Sequence, residues 1–123
     1  MKKRIMVVDD EPDVAYTVKS NLKNFDENYE IICVDGGEKC LKLLKNNQIP
    51  DIILLDIIMP GMNGWEVFDK IKANPSWKNI HIIFVTGTDK VAENAKNFLG
   101  DDFIEKPYKP KELKEKIDRI LKK

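Results

Sequence analysis

The run Ile52-Ile53-Leu54-Leu55-Asp56 constrains this chain more than any other stretch: four consecutive apolar residues, without polar alternation, stop at a carboxylate. A strand apolar at every position is buried on both faces, as in a parallel sheet covered by helices on each side. The loop Ile57-Ile58-Met59-Pro60-Gly61-Met62-Asn63-Gly64 follows. Ligands of open α/β sheets bind at the carboxyl edge of the strands. Asp56 is therefore a candidate functional group mounted on a rigid support.

The same pattern recurs along the chain. Ile5-Met6-Val7-Val8 ends in Asp9-Asp10-Glu11, and Pro12 suits the first turn of a helix whose apolar face is Val14, Ala15, Val18 and Leu22. A second strand is predicted over Glu30 to Val34, closed by Asp35-Gly36-Gly37, and a second helix carries Cys40, Leu41 and Leu44. After the Asp56 loop, Val67, Phe68 and Ile71 mark a third helix, broken at Asn74-Pro75-Ser76. Ile80 to Val85 reads as a strand ending in Thr86-Gly87-Thr88, and Val91, Ala95, Phe98 and Leu99 form a fourth helical stripe stopped by Gly100. Phe103-Ile104 is a short strand before Glu105-Lys106-Pro107, and Leu113, Ile117, Ile120 and Leu121 line a fifth helix. Five strand–helix repeats imply one doubly wound α/β domain with a five-stranded parallel sheet. At 123 residues the chain reads as a single domain, 1–123, with no output domain expected after the last helix.

Charge and cysteine usage narrow the function classes. Lys plus Arg and Asp plus Glu are both 21, so no overall basic bias points to nucleic acid or an anionic membrane. Cys33 and Cys40, with a single histidine, His81, give neither a zinc pattern nor a disulfide framework. The apolar run after Lys2-Lys3-Arg4 is too short for a signal segment, and no run approaches a membrane span. A cytoplasmic protein without membrane insertion or direct nucleic-acid contact is expected.

If the strands are parallel, Asp9, Asp10, Asp56, Thr86 and Lys106 share one sheet edge. Carboxylates crowded to ~4 Å repel by about 1–4 kcal/mol per pair in media between water and an effective dielectric of ~20. Such a cluster holds a cation or shares a proton. Hard oxygen donors without His or Cys favour Mg²⁺, Mn²⁺ or Ca²⁺, and a few carboxylates leaving room for phosphate oxygens suit Mg²⁺ best. Lys106 supplies an ammonium and Thr86 a hydroxyl for phosphoryl oxygens. A metal, a lysine, a hydroxyl and one carboxylate nucleophile are the parts an aspartyl-phosphate needs.

Taken together, Asp9-Asp10, Asp56 with Met59-Pro60-Gly61-Met62-Asn63-Gly64, Thr86 and Lys106-Pro107 make nearly the whole chain resemble a response-regulator receiver domain of two-component signalling. The resemblance implies a flavodoxin-like fold of strand order 2-1-3-4-5 with five helices. It implies that Asp56 is the phosphoacceptor for a histidine kinase or phosphotransfer protein. Mg²⁺ would be held by Asp9, Asp10, Asp56 and the Ile58 backbone carbonyl. Lys106 would pair with Asp56 and then contact the phosphoryl group, Thr86 would close on a phosphoryl oxygen, and Phe103 would swing inward with it. The Lys106–Pro107 bond would be cis, against about 5–6% of X–Pro bonds generally. The switched surface would comprise the fourth helix, fifth strand and fifth helix, roughly Asp89 to Lys123, read by a downstream protein target. A monomer, or a weak dimer dependent on phosphorylation, is the expected state.

Three residues depart from the family's common pattern. Phe103 has no hydroxyl, so any coupling to Thr86 runs through packing. Gly87 stands where alanine is common. Ile58 is apolar where many relatives are polar, and an isoleucine cannot orient a hydrolytic water, which predicts slow autodephosphorylation. An aspartate-nucleophile phosphatase or phosphotransferase is the alternative, but such hydrolases carry a second acid two residues on, where this chain has Ile58. A flavin or nucleotide binder would need a phosphate loop after the first strand, and Asp9-Asp10-Glu11 repels phosphate. Plainer readings make Glu11 a helix-start charge, Thr86 a cap with Asp89, and His81 a strand-edge residue without an obvious acid. Trp65 and Trp77 read as partly packed, and Glu112–Lys116 and Glu115–Arg119 as i,i+4 ion pairs.

Overall fold

The structure, a computed structural model, describes residues 2–87 and 101–122. The stripe Val91, Ala95, Phe98 and Leu99, its Gly100 stop and the Asp89 capping partner lie outside the described residues. The described elements are β1 (Lys3–Val8), α1 (Pro12–Phe25), β2 (Tyr29–Val34), α2 (Gly37–Lys45), β3 (Ile52–Asp56), α3 (Gly64–Ala73), β4 (His81–Thr86), β5 (Asp102–Glu105) and α4 (Pro110–Leu121). All strand pairs are parallel, in the order β2-β1-β3-β4-β5.

Alternation along the central strands builds two cores from one sheet. Register places Met6 beside Ile53 and Ile53 beside Ile82, then Val8 beside Leu55 and Leu55 beside Phe84. These residues face α2 and α3, through Cys40, Leu41 and Leu44 and through Val67, Phe68 and Ile71. The intervening positions Ile5, Val7, Ile52, Leu54, Ile83 and Val85 face the other way, onto Ala15, Val18 and Leu22 of α1 and Leu113, Ile117 and Ile120 of α4. Each helix thus presents one narrow apolar stripe, with its charges turned outward. Every residue of β3 is buried, as its unbroken apolar run requires. Fully burying one such aliphatic side chain is worth about 1.5–3 kcal/mol.

Strand limits differ slightly from what periodicity alone indicates, and β4 keeps six residues but starts at His81 rather than Ile80. β2 begins at Tyr29, β4 runs to Thr86, and β5 spans Asp102 to Glu105. Tyr29 is fully buried, and its hydroxyl donates to Asp118 Oδ1 at 2.6 Å, stapling the edge strand to α4. Lys116 and Arg119 of α4 turn to a strand acid rather than to Glu112 and Glu115, whereas Lys114 and Asp118 do form an i,i+4 pair. Lys116 Nζ reaches Asp102 Oδ2 at 3.2 Å and Arg119 Nη2 reaches it at 2.6 Å, while Lys114 binds Asp118. A partly buried acid from the sheet outcompetes exposed helix partners, because its environment screens charge less. His81 does have an acid: its Nδ1 lies 3.1 Å from Asp101 Oδ1, a contact made across 20 residues. Trp77 is buried in the α2–α3 core, deeper than partial packing.

Candidate functional site

The C-terminal tips of β1, β3 and β4, with the residues just beyond β5, build the site. The Asp9 backbone N–H donates to Val34 O at 3.1 Å, so sheet bonding holds it one residue past β1. Its Oδ1 accepts the Glu11 N–H at 2.9 Å, which orients the carboxylate at the start of α1. Asp56 closes β3 opposite Val85, and the next amide, Ile57 N–H, donates to Val85 O at 3.3 Å. Both acids are buried despite their charge, Asp9 4% and Asp56 7% exposed.

The loop after Asp56 folds back by specific devices. Gly61 has φ +73°, a conformation disfavoured for L side chains. Gly64 donates to Ile57 O at 2.8 Å and packs so closely that a Cβ would lie 2.5 Å from Asp56 O. Asn63 then caps α3, its side chain accepting from Glu66 N at 3.0 Å while Glu66 Oε1 accepts from Asn63 N at 3.1 Å. Met59 and Ile57 turn into the core, whereas Ile58 remains 62% exposed.

From the other side, the Lys106 N–H donates to Thr86 O at 2.7 Å, continuing the β4–β5 pairing by one step. The Lys106–Pro107 peptide bond is cis. Lys106 Nζ stands 3.5 Å from Asp9 Oδ2 and 3.5 Å from Asp56 Oδ2, an ammonium bridging two acids. Thr86, 1% exposed, is one residue beyond Val85, the register partner of Asp56. Phe103 pairs in register with Phe84 and packs, half-buried, against the α2–α3 core.

Electrostatics follow from this crowding. Burial pushes the Asp56 carboxyl up to about 6, Lys106 opposes that rise, and the charges of Asp9 and Asp10 add to it. For Lys106 burial works downward, but attraction to Asp56 and then Asp9 outweighs it and the ammonium is held above its usual range. The two shifts agree: one ammonium stabilised by two acids does not fully offset the desolvation of Asp56. Tyr108, missed in the sequence, sits beneath the same acids, and burial followed by the charges of Asp9 and Asp56 raises its hydroxyl to about 12. Nothing in its local pattern marks it, because the turn after Pro107 brings it there.

The donor set fits a hard divalent cation. Asp9, Asp10 and Glu11 each offer a carboxylate oxygen, all within 4.8 Å of one another, and Asp56 is tied to Asp9 through Lys106. Glu11, read from sequence as a helix-start charge, therefore stands with the acids of the site. The donors are all oxygens, as Mg²⁺ requires.

Residues 5–118 match the response regulator receiver domain family. The chain is 31% identical over 123 residues to a Guillardia theta protein named "Probable transcriptional regulator ycf27", with 98% of this chain and 46% of that protein covered. It is 36% identical over 119 residues to a Vibrio cholerae protein named "Probable cyclic di-GMP phosphodiesterase", covering 95% of this chain and 26% of that protein. The chain thus spans less than half the length of these relatives. Its fold superposes on the signal receiver domain of a signal transduction histidine kinase from Syntrophus aciditrophicus with TM-score 0.87 at 28% identity, covering 98% of this chain and 90% of that one.

Proposed function

This chain belongs to the response regulator receiver family of two-component signalling, and from that premise we propose that Asp56 is its phosphoacceptor. The observation that carries the proposal is the bridging of Asp9 and Asp56 by Lys106 at 3.5 Å each, at the tips of adjacent parallel strands. A carboxylate oxygen of Asp56 attacks phosphorus, forming an O–P bond as the donor's N–P bond breaks. The bonding pair leaves with the donor imidazole, which takes up a proton. Lys106 supplies positive charge to the transferred oxygens, and the Thr86 hydroxyl donates to one of them. Asp9, Asp10 and Asp56 would hold Mg²⁺ together with the Ile58 carbonyl. Bound there, the ion neutralises acids and phosphoryl oxygens alike.

A histidine kinase or phosphotransfer protein is the proposed donor, and a protein target reads the switched surface that includes β5 and α4. No helix among the described residues is long and apolar enough to cross a membrane, in keeping with action in the cytoplasm. Acceptance without steady turnover is favoured over a phosphatase because Ile58, exposed two residues after Asp56, offers neither acid nor base. Residues 1–123 are read as one receiver domain, with phosphorylation biasing a two-state equilibrium.

Incubation with acetyl phosphate and Mg²⁺ tests this. Intact mass should rise by one phosphate, lost on Asp56→Asn, without continuous release of inorganic phosphate. Unchanged mass, or a gain that persists in Asp56→Asn, refutes the assignment.

A further inference from the structure

The α2–α3 core contains a group of aromatic rings centred on Phe84, and Phe103 of β5 packs against the same core. Phe103 and Phe84 are register partners on neighbouring parallel strands, so their side chains stand on the same face of the sheet. Phe84 is fully buried, and its ring centroid lies 4.8 Å from Trp65 at an interplanar angle of 54°. Phe68 touches the same ring at 5.2 Å and 48°. These are tilted packings of the favourable kind. Trp65 is the second residue of α3, immediately after the Gly64 that rests on the Asp56 carbonyl.

We propose that Phe103, Phe84 and Trp65 form an aromatic relay that carries the state of the phosphoacceptor site to the N-terminus of α3. The inference rests on the reading of Asp56 as phosphoacceptor and of Phe103 as the ring that moves with Thr86. Close-packed interiors transmit a displaced ring to its neighbours rather than absorbing it in free volume. Phe84, fully buried in a strand paired on both sides, has little room to yield except by tilting. Trp65 is half-buried, so it can take up the movement at the surface. A change in Phe103 thereby repositions the first turn of α3, a surface distinct from β5 and α4.

The test uses the full chain labelled with 5-fluorotryptophan, whose two indoles, Trp65 and Trp77, give two ¹⁹F signals assigned through Trp65→Phe. Mg²⁺ alone separates any direct effect of the metal. Mg²⁺ with acetyl phosphate, with phosphate on Asp56 verified by intact mass, gives the response to phosphorylation. The wild-type Trp65 signal should shift further on phosphorylation than with Mg²⁺ alone. In Phe103→Leu, phosphorylated to the same extent, that additional shift should fall below half, while the Mg²⁺ response remains. Phe84→Leu should behave alike, and Phe103→Leu decides the matter should the buried Phe84 variant not fold. A phosphorylated wild type with an unmoved Trp65, or an undiminished shift in Phe103→Leu, overturns the relay. No phosphate on the wild type overturns the phosphoacceptor reading, and the relay with it.

Discussion

Asp56→Asn should make the metal-free protein more stable. The Asp56 side chain is 10% exposed, and its carboxyl is raised from 3.8 to about 6, chiefly by burial, against the pull of Lys106. A tenfold change in proton affinity corresponds to about 1.4 kcal/mol between protonation states, so the ionised group costs the folded state on the order of 3 kcal/mol. Because the folded pKa lies above the unfolded one, the folded chain keeps a proton that the unfolded chain has released between pH ~4 and ~6. Stability attributable to this group falls with rising pH across that window, and the full cost is present above it. Asparagine has similar shape and no charge, and Lys106 retains Asp9 at 3.5 Å. Urea unfolding in EDTA at about pH 7.5 should therefore show a gain of about 1–3 kcal/mol for the variant. At about pH 3, below both pKa values, the two chains should converge. With Mg²⁺ in large excess the wild type should recover, since a ligand at about a hundred times its dissociation constant adds about 2.7 kcal/mol. A variant no more stable than wild type at the higher pH, or a gap undiminished at the lower, refutes the reasoning.

Ile58→Asn should shorten the phosphoryl lifetime about fivefold, the effect of one new hydrogen bond of ~1 kcal/mol to the attacking water; decay of the acyl-phosphate followed by mass checks it. Gly64→Ala should destabilise by about 1–3 kcal/mol, because the added Cβ meets Asp56 O at 2.5 Å and Ile57 Cα at 2.8 Å, backbone atoms that cannot turn aside, and thermal unfolding measures the loss. Tyr29→Phe should cost about 1.5–3 kcal/mol in urea unfolding at neutral pH, the range for a hydrogen bond to a charged group. Burial tends to raise the Asp118 carboxyl, but bonds from Lys114 and Tyr29 outweigh it and hold the carboxyl below its usual value. That stabilisation is present above pH ~4 and lost as pH falls below it, so the Tyr29→Phe deficit should shrink in acid.

The fold and the site were legible in the sequence to different depths. Ile52 to Leu55 pointed to a doubly buried strand because no surface strand tolerates four apolar residues in succession, and the helical stripes located both layers. Asp9, Asp56 and Lys106 were foreseeable as neighbours because parallel strands deliver their tips to one edge. What escaped were mostly contacts that the delivery of strand tips to one edge does not set. The Asp102 clamp on Lys116 and Arg119, and the Asp101 partner of His81, depend on where β5 docks, which local i,i+4 arithmetic cannot see. Tyr108 escaped because its position follows from the path of the chain after Pro107, and Glu11 because an acid at a helix start has a sufficient local reason to exist.

The burial of Asp56 explains why one ammonium is not enough at this edge. Asp9 engages the Glu11 N–H with one oxygen and shares the other's charge with Lys106, which is divided between two acids at equal distance. Asp10 and Glu11 add negative charge within 4.8 Å of Asp9, so the described cluster carries more anion than cation. Burial raises the Asp56 carboxyl, Lys106 pulls it back, and the charges of Asp9 and Asp10 add to the rise. A group so placed is held partly protonated near pH 6, and a protonated carboxyl is no nucleophile. Positive charge added at the acids lowers that pKa and restores the carboxylate. The same burial that destabilises the resting fold therefore makes the reactivity of Asp56 depend on pH, and on a cation below about pH 6. For the apo chain, the rate of phosphorylation by a small donor should rise with pH through about 6, and with a saturating divalent ion the midpoint should move to lower pH. A pH profile unmoved by the ion would mean that the acids at this edge act independently of Asp56.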